Sequence, residues 1–156
     1  MSAQGAETDD KGAGHRATPL PEPGDAPARR TALDPSRSFI VQAPAGSGKT
    51  ELLIQRYLVL LSLVDEPEEI AAITFTRKAA AEMKHRVLQS LDEARAAGPD
   101  ADLDAGLDAL LAHARTTRRH ALAALERERI RGWDLVHSAS RLRIQTIDAL
   151  CASLTR

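Results

Sequence analysis

One stretch constrains the fold more than any other: Ala43-Pro44-Ala45-Gly46-Ser47-Gly48-Lys49-Thr50. It follows the apolar run Phe39–Val41 and precedes Glu51–Leu58, which has the residue spacing of a helix. A strand, a glycine-bearing loop, Lys-Thr and a helix are the parts of a phosphate-binding loop, in the required order. Gly46 and Gly48 permit positive φ and let the backbone approach an anion without a Cβ in the way. Successive N–H groups then converge on phosphate oxygens at the positive end of the helix.

The last two residues of this stretch supply the side-chain chemistry. Lys49 can reach the β- and γ-phosphates of a nucleotide, and the Thr50 hydroxyl can ligate Mg²⁺. Ala43 stands where the motif has its first glycine. The alternative is an ordinary glycine-rich turn before a helix. Because every part is in register, the sequence favours a nucleotide-phosphate site formed by all eight residues from Ala43 to Thr50.

Composition places the chain among soluble globular proteins. Its 156 residues suffice for one domain, with 43% hydrophobic and 28% charged residues. A formal net charge of -1 gives no global attraction to nucleic acid, so such affinity requires a local patch. The single cysteine, Cys151, excludes an internal disulfide and fits a reducing compartment. No run reaches the roughly 18 apolar residues of a membrane span. These features predict a soluble, cytoplasmic protein without a membrane partner.

The chain divides into a leader and one domain. Residues 1–36 are rich in Ala, Gly, Pro and mixed charges, which predicts a disordered leader. Its end, Asp25–Pro35, is predicted to order as a short helix. In the domain at 37–156, predicted strands and helices alternate: strands Phe39–Val41, Ile70–Phe75 and Leu142–Ile147, and helices Lys49–Val64, one opening at Thr76, residues 107–130 and one beginning at Asp148. This alternation predicts an α/β fold with a buried parallel sheet, on which the helix after the loop is expected to pack. The helix that opens at Thr76 has a predicted apolar stripe at Ala80, Met83, Val87 and Leu91. The Ala-, Gly- and Asp-rich stretch Leu91–Asp108, with Gly98-Pro99-Asp100, predicts a loop.

The segment after the second predicted strand is unfavourable for stability alone. Arg77 and Lys78 lie in the first turn of a helix, where the macrodipole disfavours each cation by ~0.3–1 kcal/mol. A negative ligand would reverse that cost, and the hydroxyls of Thr74 and Thr76 suit a phosphodiester backbone. Phe75 between them has the chemistry to stack on an unpaired base. The alternative is a solvated helix end with a core phenylalanine, and the residues alone weigh the two about evenly.

Eight arginines face only three acidic residues between positions 115 and 143. They are Arg115, Arg118, Arg119, Arg127, Arg129, Arg131, Arg141 and Arg143. Such a run usually indicates a solvated helix face. A phosphate-tracking patch with salt-dependent binding is the alternative.

Four other side chains are interpreted as structural. Tyr57 falls within an apolar stripe and is predicted to be core rather than to stack on an adenine. Trp133 is predicted to be a packing anchor, and Cys151 a buried thiol. Asp148 is predicted to be the N-cap of the last helix. The histidines are spread too widely for a recognisable metal site, so the predicted metal contact is Thr50 to Mg²⁺.

Three blocks together resemble the UvrD/RecB-like superfamily-1 DNA helicases, especially the AddA-like proteins of double-strand-break repair. Ala43–Thr50 looks like their first motif, in which an alanine in place of the first glycine is usual. Ile73–Met83 is similar to the next motif, which contacts single-stranded DNA. Arg143–Cys151 looks like the following motif, another DNA contact, where the family commonly carries histidine at the position of Asp148. The resemblance covers roughly Ala28 to Arg156.

The resemblance implies a P-loop NTPase with the RecA-like parallel sheet of a first motor domain. It implies ATP and Mg²⁺ as cofactors, held by catalytic Lys49 and Thr50. The implied DNA contacts are Thr74, Phe75, Thr76, Arg77, Lys78 and Thr146. It also implies 3′-to-5′ translocation on single-stranded DNA in repair or recombination, and its candidate protein partner is a second helicase-nuclease subunit. Near Arg29 the family often carries a glutamine that reads adenine.

Parts that a complete motor requires are absent from the sequence. No Asp-Glu pair follows a further predicted strand, and no second motor domain supplies an arginine finger. We therefore expect an N-terminal part of a longer helicase, inactive when isolated. The alternatives are a non-catalytic truncation that binds nucleotide or DNA, and a P-loop kinase of another class. The Thr-Phe-Thr-Arg-Lys block argues against the kinase.

Overall fold

The computed structural model describes residues 24–98 and 109–155. Within these ranges the elements are α1 (Ala26–Ala32), α2 (Lys49–Leu61), β1 (Ala71–Thr74), α3 (Arg77–Ala97), α4 (Ala109–Arg131), β2 (Arg143–Thr146) and α5 (Ile147–Leu154). Short 3₁₀ turns precede both strands. This is a mixed α/β architecture, as predicted in outline. None of the helices in this part of the chain is long and apolar enough to cross a membrane.

Helix α1 is the short helix predicted for the end of the leader. It begins with Pro27 in its first turn, where the missing proline N–H costs nothing. Arg56 of α2 holds the segment that follows, because its guanidinium donates to the carbonyls of Ala32 at 2.6 Å and Asp34 at 3.0 Å. Residues 1–23 of the predicted leader lie outside the described residues, so its boundary at residue 36 stays a prediction.

The sheet consists of β1 and β2, which pair in parallel from Ala71 opposite Arg143 to Thr74 opposite Thr146. Helix α3 packs on both strands. Ile144 and Thr146 are buried, whereas Ala71 and Ile73 are exposed. The second strand was predicted to be buried, and this is wrong for β1: Ala71 and Ile73 are exposed, while Ala72 and Thr74 are only half-buried. The reason is that α3 and α5 cover only one face of the sheet.

The first predicted strand is also wrong. Residues 38–44 have no regular secondary structure, and Ile40 is 92% exposed. A strand is held by ladder hydrogen bonds to a neighbour, and neither β1 nor β2 pairs with this segment. The ring of Phe39 lies instead beside the guanidinium groups of Arg37 and Arg56, 5.3 and 5.4 Å from its centroid.

The core lies mainly among α2, α3 and α4. Its fully buried side chains include Leu58, Leu61, Val87, Leu91 and Leu142, each of which contributes about 1.5–3 kcal/mol through burial. The predicted buried stripe of α3 is confirmed. Helix α2 was predicted to pack on the sheet, but it packs on α4 and α3 instead. Because of this different partner, Leu53 faces solvent and is half-exposed. Tyr57 is core, as predicted, and burial raises the pKa of its hydroxyl.

Helix α3 continues through residues predicted to be a loop. Leu91 and Ala94 are buried in the core that α3 shares with α4, and this packing extends the helix to Ala97. Gly98, at φ +70°, then ends it. The rest of the predicted loop, residues 99–108, lies outside the described residues.

Several arginines of the basic run are engaged within the chain. The carboxylate of Asp65 pairs with both Arg127, at 2.7 Å, and Arg131. Arg141 pairs with Glu66 at 2.5 Å and Glu68 at 2.7 Å, and its hydrogen bond lowers the pKa of Glu68. Because acidic side chains of the chain engage these three arginines at its surface, the structure favours the solvated interpretation over the phosphate-tracking patch for them. Because water and salt screen exposed ion pairs, these pairs add little to stability.

Two further predictions concern the last quarter of the chain. Trp133 is a packing anchor, as predicted: its ring is buried and its Nε1–H donates to the carbonyl of Asp65 at 3.1 Å. Cys151 was predicted to be buried and is exposed. The reason is that α5 contacts the strands and contributes no buried residue to the core.

Candidate functional site

The loop before α2 has the backbone geometry that its glycines predict. Gly46 and Gly48 adopt φ of +77° and +79°, where a side chain would strain the backbone. Gly48 is the N-cap of α2, so Lys49 and Thr50 form the first turn of the helix. The N–H groups of a first helical turn have no intrahelical acceptor. The loop therefore offers backbone donors and a helix dipole to an anion.

Side chains in this loop fit a phosphate group. The Lys49 ammonium lies across the loop and donates to the carbonyls of Ala43 and of Pro44, the latter at 2.7 Å. The hydroxyl of Ser47 is buried and has no hydrogen-bond partner among the residues that the structure describes. Thr50 is exposed on the first turn, where its hydroxyl has the chemistry to ligate Mg²⁺ beside the phosphates. A cation inside the loop and an unsatisfied hydroxyl both suit phosphate oxygens.

Arg29 also belongs to this site, although the residues alone did not single it out. Its Nε donates to the Asp25 carboxylate at 2.7 Å, and its Nη2 donates to the carbonyl of Ser47. A Cβ added to Gly48 would lie 3.3 Å from Nη1. The contact joins residues 18 positions apart, and no local sequence pattern signals such a pair.

A polar cluster behind the loop was also missed. Glu51, one residue after Thr50, pairs with Arg86 of α3 at 2.7 Å and accepts from the hydroxyl of Thr117 on α4 at 2.5 Å. Gln55 donates to the same hydroxyl at 2.9 Å. The cluster ties the first turn of α2 to both neighbouring helices. Its members are distant in the sequence, so periodicity gave no signal.

The second group of predicted residues lies at the carboxyl edge of the sheet. Thr74 is paired in register with Thr146, which brings together two blocks that are far apart in the sequence. Thr76 and Thr146 are the N-caps of α3 and α5, accepting from the backbone N–H of Ala79 at 3.1 Å and of Ala149 at 3.2 Å. Each hydroxyl keeps its own O–H to donate to a ligand.

These contacts correct one prediction, and the exposures at this edge exclude a core position for Phe75. Asp148 is not the N-cap of α5, because Thr146 occupies that position and Asp148 lies in the first turn. Phe75 is 87% exposed, so the interpretation of it as a core residue is wrong. Arg77 and Lys78 are exposed as well. One edge of the sheet therefore carries an exposed aromatic ring, two cations and the N-termini of two helices.

Comparison with known proteins gives consistent matches. The family model described as UvrD/REP helicase N-terminal domain matches residues 26–156. The A subunit of an ATP-dependent helicase/nuclease from Desulfitobacterium hafniense (strain DSM 10664 / DCB-2) is 44% identical over 71 residues, which is 44% of this chain and 5% of the relative. DNA helicase II from Escherichia coli (strain K12) is 47% identical over 62 residues, 39% of this chain and 9% of the relative.

The matched segment thus spans only 5% to 9% of the length of these relatives. The corresponding ATP-dependent helicase/nuclease A subunit from Listeria welshimeri serovar 6b is 44% identical over 68 residues, covering 40% of this chain and 5% of the relative. No solved structure matches the chain.

Proposed function

The chain belongs to the UvrD/REP helicase N-terminal domain family, and from this we propose that it forms the ATP-binding front of a DNA helicase. In this proposal the loop Ala43–Thr50 takes the phosphates of ATP with Mg²⁺, and the carboxyl edge of the sheet takes single-stranded DNA. The parallel pair β1–β2 would be part of a RecA-like sheet.

The observation that carries the proposal is the register of β1 with β2, which sets Thr74 directly beside Thr146. Because the strands are parallel, both chain segments leave the sheet at the same edge and enter a helix there. Two helix N-termini favour negative charge there, and of their two N-cap hydroxyls that of Thr76 is exposed whereas that of Thr146 is buried. A phosphodiester backbone running along this edge would meet both segments in turn.

Phe75 distinguishes a nucleic-acid ligand from a small anion at this edge. An exposed aromatic ring costs solvation in a free protein, but it offers a stacking platform to an unpaired base of any identity. Arg77 and Lys78 at the start of α3 oppose the helix dipole unless an anion lies beside them. A P-loop kinase of another class has no use for this combination at a second strand end.

The residues of the loop have distinct tasks in the proposed chemistry. Lys49 turns from the carbonyls of Ala43 and Pro44 to phosphate oxygens, where its charge stabilises the negative charge that develops during phosphoryl transfer. Thr50 holds Mg²⁺ through its hydroxyl, and bound Mg²⁺ supplies electrostatic stabilisation of the phosphates. The backbone N–H groups of Gly46 to Thr50 orient the polyphosphate.

The whole-protein activity is part of the proposal too. The family implies ATP-driven translocation from 3′ to 5′ on single-stranded DNA, a role in repair or recombination, a place in the cytoplasm and a helicase-nuclease partner subunit. Turnover requires an acidic group that orients water and an arginine from a second domain. We therefore expect the 156-residue chain to bind nucleotide and DNA without unwinding duplexes.

Two titrations of the 156-residue chain test the proposal: a fluorescent ATP analogue with Mg²⁺, and a labelled single-stranded oligonucleotide. Lys49→Ala should lose most ATP affinity and keep DNA affinity, whereas the matched control Lys84→Ala on α3 should keep both. Equal ATP binding by the wild type and Lys49→Ala would exclude the loop as the nucleotide site. ATP binding without any DNA binding would instead favour the kinase.

A further inference from the structure

We propose that Arg29 is a second cationic contact to the phosphates of the nucleotide, in addition to Lys49, with which it lines one cavity. The inference rests on the proposed function, since it names an additional residue of the same nucleotide site. Arg29 lies on α1, outside the phosphate-loop motif, and 20 positions before Lys49.

The position of the guanidinium is defined by two hydrogen bonds. Nη2 donates to the carbonyl of Ser47 in the middle of the loop, and Nε donates to Asp25 one turn earlier on the chain. Nη1 is the side-chain atom nearest to the place that a Cβ would occupy on Gly48, 3.3 Å away. A planar fork with five donors therefore lies against the two residues that form the centre of the loop.

The surroundings of Arg29 have the shape that a nucleotide requires. Arg29 forms part of the wall of two cavities, one of about 410 Å³ and the other of about 460 Å³. The first includes the apolar side chains of Phe39, Ile40 and Leu52 and suits a base. The second includes Gly46, Gly48 and the carboxylate of Glu51, whereas Lys49 lines the first. Arg29 and Ser47 line both cavities, so a ligand that occupies both would contact the guanidinium.

The present partners of Arg29 are replaceable by phosphate. The side chain of Asp25 is 55% exposed, whereas that of Arg29 is 19% exposed, so the acid is solvated while the arginine is held against the loop. A carbonyl is a neutral acceptor, and a phosphate binds a guanidinium through two shorter, charge-assisted hydrogen bonds. The exchange therefore favours the ligand without moving the backbone of α1.

The experiment measures how the affinity for a nucleotide depends on the number of phosphates that the nucleotide carries. Fluorescent analogues of ATP, ADP and adenosine are titrated into the 156-residue chain and into Arg29→Gln, Arg29→Met and Arg29→Lys. Removing the charge should weaken ATP binding about 10- to 100-fold, weaken ADP binding less and leave adenosine binding unchanged. Arg29→Lys should restore part of the loss because it keeps charge without the fork.

Two controls separate this inference from the proposed function. Arg30→Gln changes the neighbouring arginine of α1, which lines neither cavity, and it should bind all three ligands like the wild type. Lys49→Ala reports on the loop itself. If Lys49→Ala loses ATP and both Arg29→Gln and Arg29→Met do not, the inference about Arg29 is wrong while the proposed function stands. If Lys49→Ala binds ATP normally, the proposed function fails.

A structural role for Arg29 gives a different result. It would reduce the affinity for ATP, ADP and adenosine by the same factor and lower the thermal unfolding midpoint of the nucleotide-free chain. That outcome would overturn the inference if it is found for Arg29→Gln, or for Arg29→Met where Arg29→Gln does not fold. A loss that grows with the number of phosphates, at an unchanged midpoint, would establish the contact.

Discussion

Replacing Phe75 with alanine should separate DNA affinity from folding stability. Full burial of a phenylalanine contributes about 1.5–3 kcal/mol to stability. Phe75 is 87% exposed, so its partial burial contributes only about an eighth of that, roughly 0.2–0.4 kcal/mol, to the free energy of unfolding. A base stacked on the ring would contribute ~1–3 kcal/mol to binding, which corresponds to about a 5- to 150-fold loss of affinity in Phe75→Ala.

The assay is fluorescence anisotropy of labelled oligonucleotides of two different base sequences, with urea unfolding of each variant in the same buffer. Leu154→Ala is the matched control, because Leu154 is also a large apolar side chain that is 76% exposed, on α5. Phe75→Ala should lose affinity for both oligonucleotides by a similar factor, since stacking does not read the base. Leu154→Ala should bind both like the wild type.

The reasoning about this edge would be refuted in either of two ways. Truncating a buried phenylalanine to alanine costs about 3–5 kcal/mol, so a loss of about 2 kcal/mol or more of unfolding free energy in Phe75→Ala would place the ring in the core. If the DNA affinity of Phe75→Ala matches that of Leu154→Ala, no base stacks on Phe75, and the single-stranded DNA role of Thr74–Lys78 loses its main support.

Three further predictions address single groups. Arg77→Ala should reduce the slope of log affinity against log salt by about 0.7, the value for one contact to single-stranded phosphate, measured by the same anisotropy titration at several salt concentrations. Thr76→Ala should remove the N-cap of α3 and lower the unfolding free energy by about 0.5–2 kcal/mol in urea, whereas Thr76→Ser should restore it; equal stability of the two would contradict the capping role. Burial lowers the pKa of His120 below its ordinary 6.5, so the unfolded chain binds the proton more readily and the unfolding free energy should fall as the pH drops below about 6.5. His120→Gln should flatten this dependence between about pH 7.5 and 5.5.

The parts of the structure that were predicted well are those that depend on neighbours in the sequence. Positive φ at Gly46 and Gly48, the helix that begins at Lys49 and the buried stripe with Val87 and Leu91 all follow from local chemistry or a 3.6-residue period. The parallel pairing of β1 with β2 follows from strand and helix alternation.

The parts that were missed depend on partners that a local pattern does not identify. Phe39–Val41 has the composition of a buried strand, but a strand requires a neighbour, and this segment pairs with neither β1 nor β2. Thr146 and Asp148 are both good N-cap residues, and only the strand end decides that Thr146 is the one used. Glu51 makes contacts to residues 35 and 66 positions away, so its place in the site appears only in the folded chain. For Arg29 the resemblance indicated only the neighbourhood of an adenine-reading residue, and the hydrogen bond to Ser47 appears only in the folded chain.

The parallel pairing of β1 with β2 also sets the order in which the chain can fold. Residues paired across the sheet, such as Ala71 and Arg143, are separated in the sequence by the whole of α3 and α4. Closing so long a loop costs conformational entropy before the hydrogen bonds between the strands can form. We therefore expect the helices to pack first and the sheet to form last, so that backbone amides of β2 gain protection from pulsed hydrogen exchange after those of α3. Thr74 and Thr146 then meet only at the end of folding. Any partly folded state that keeps its helices but opens the sheet would retain the phosphate loop and lose the edge that we propose for DNA.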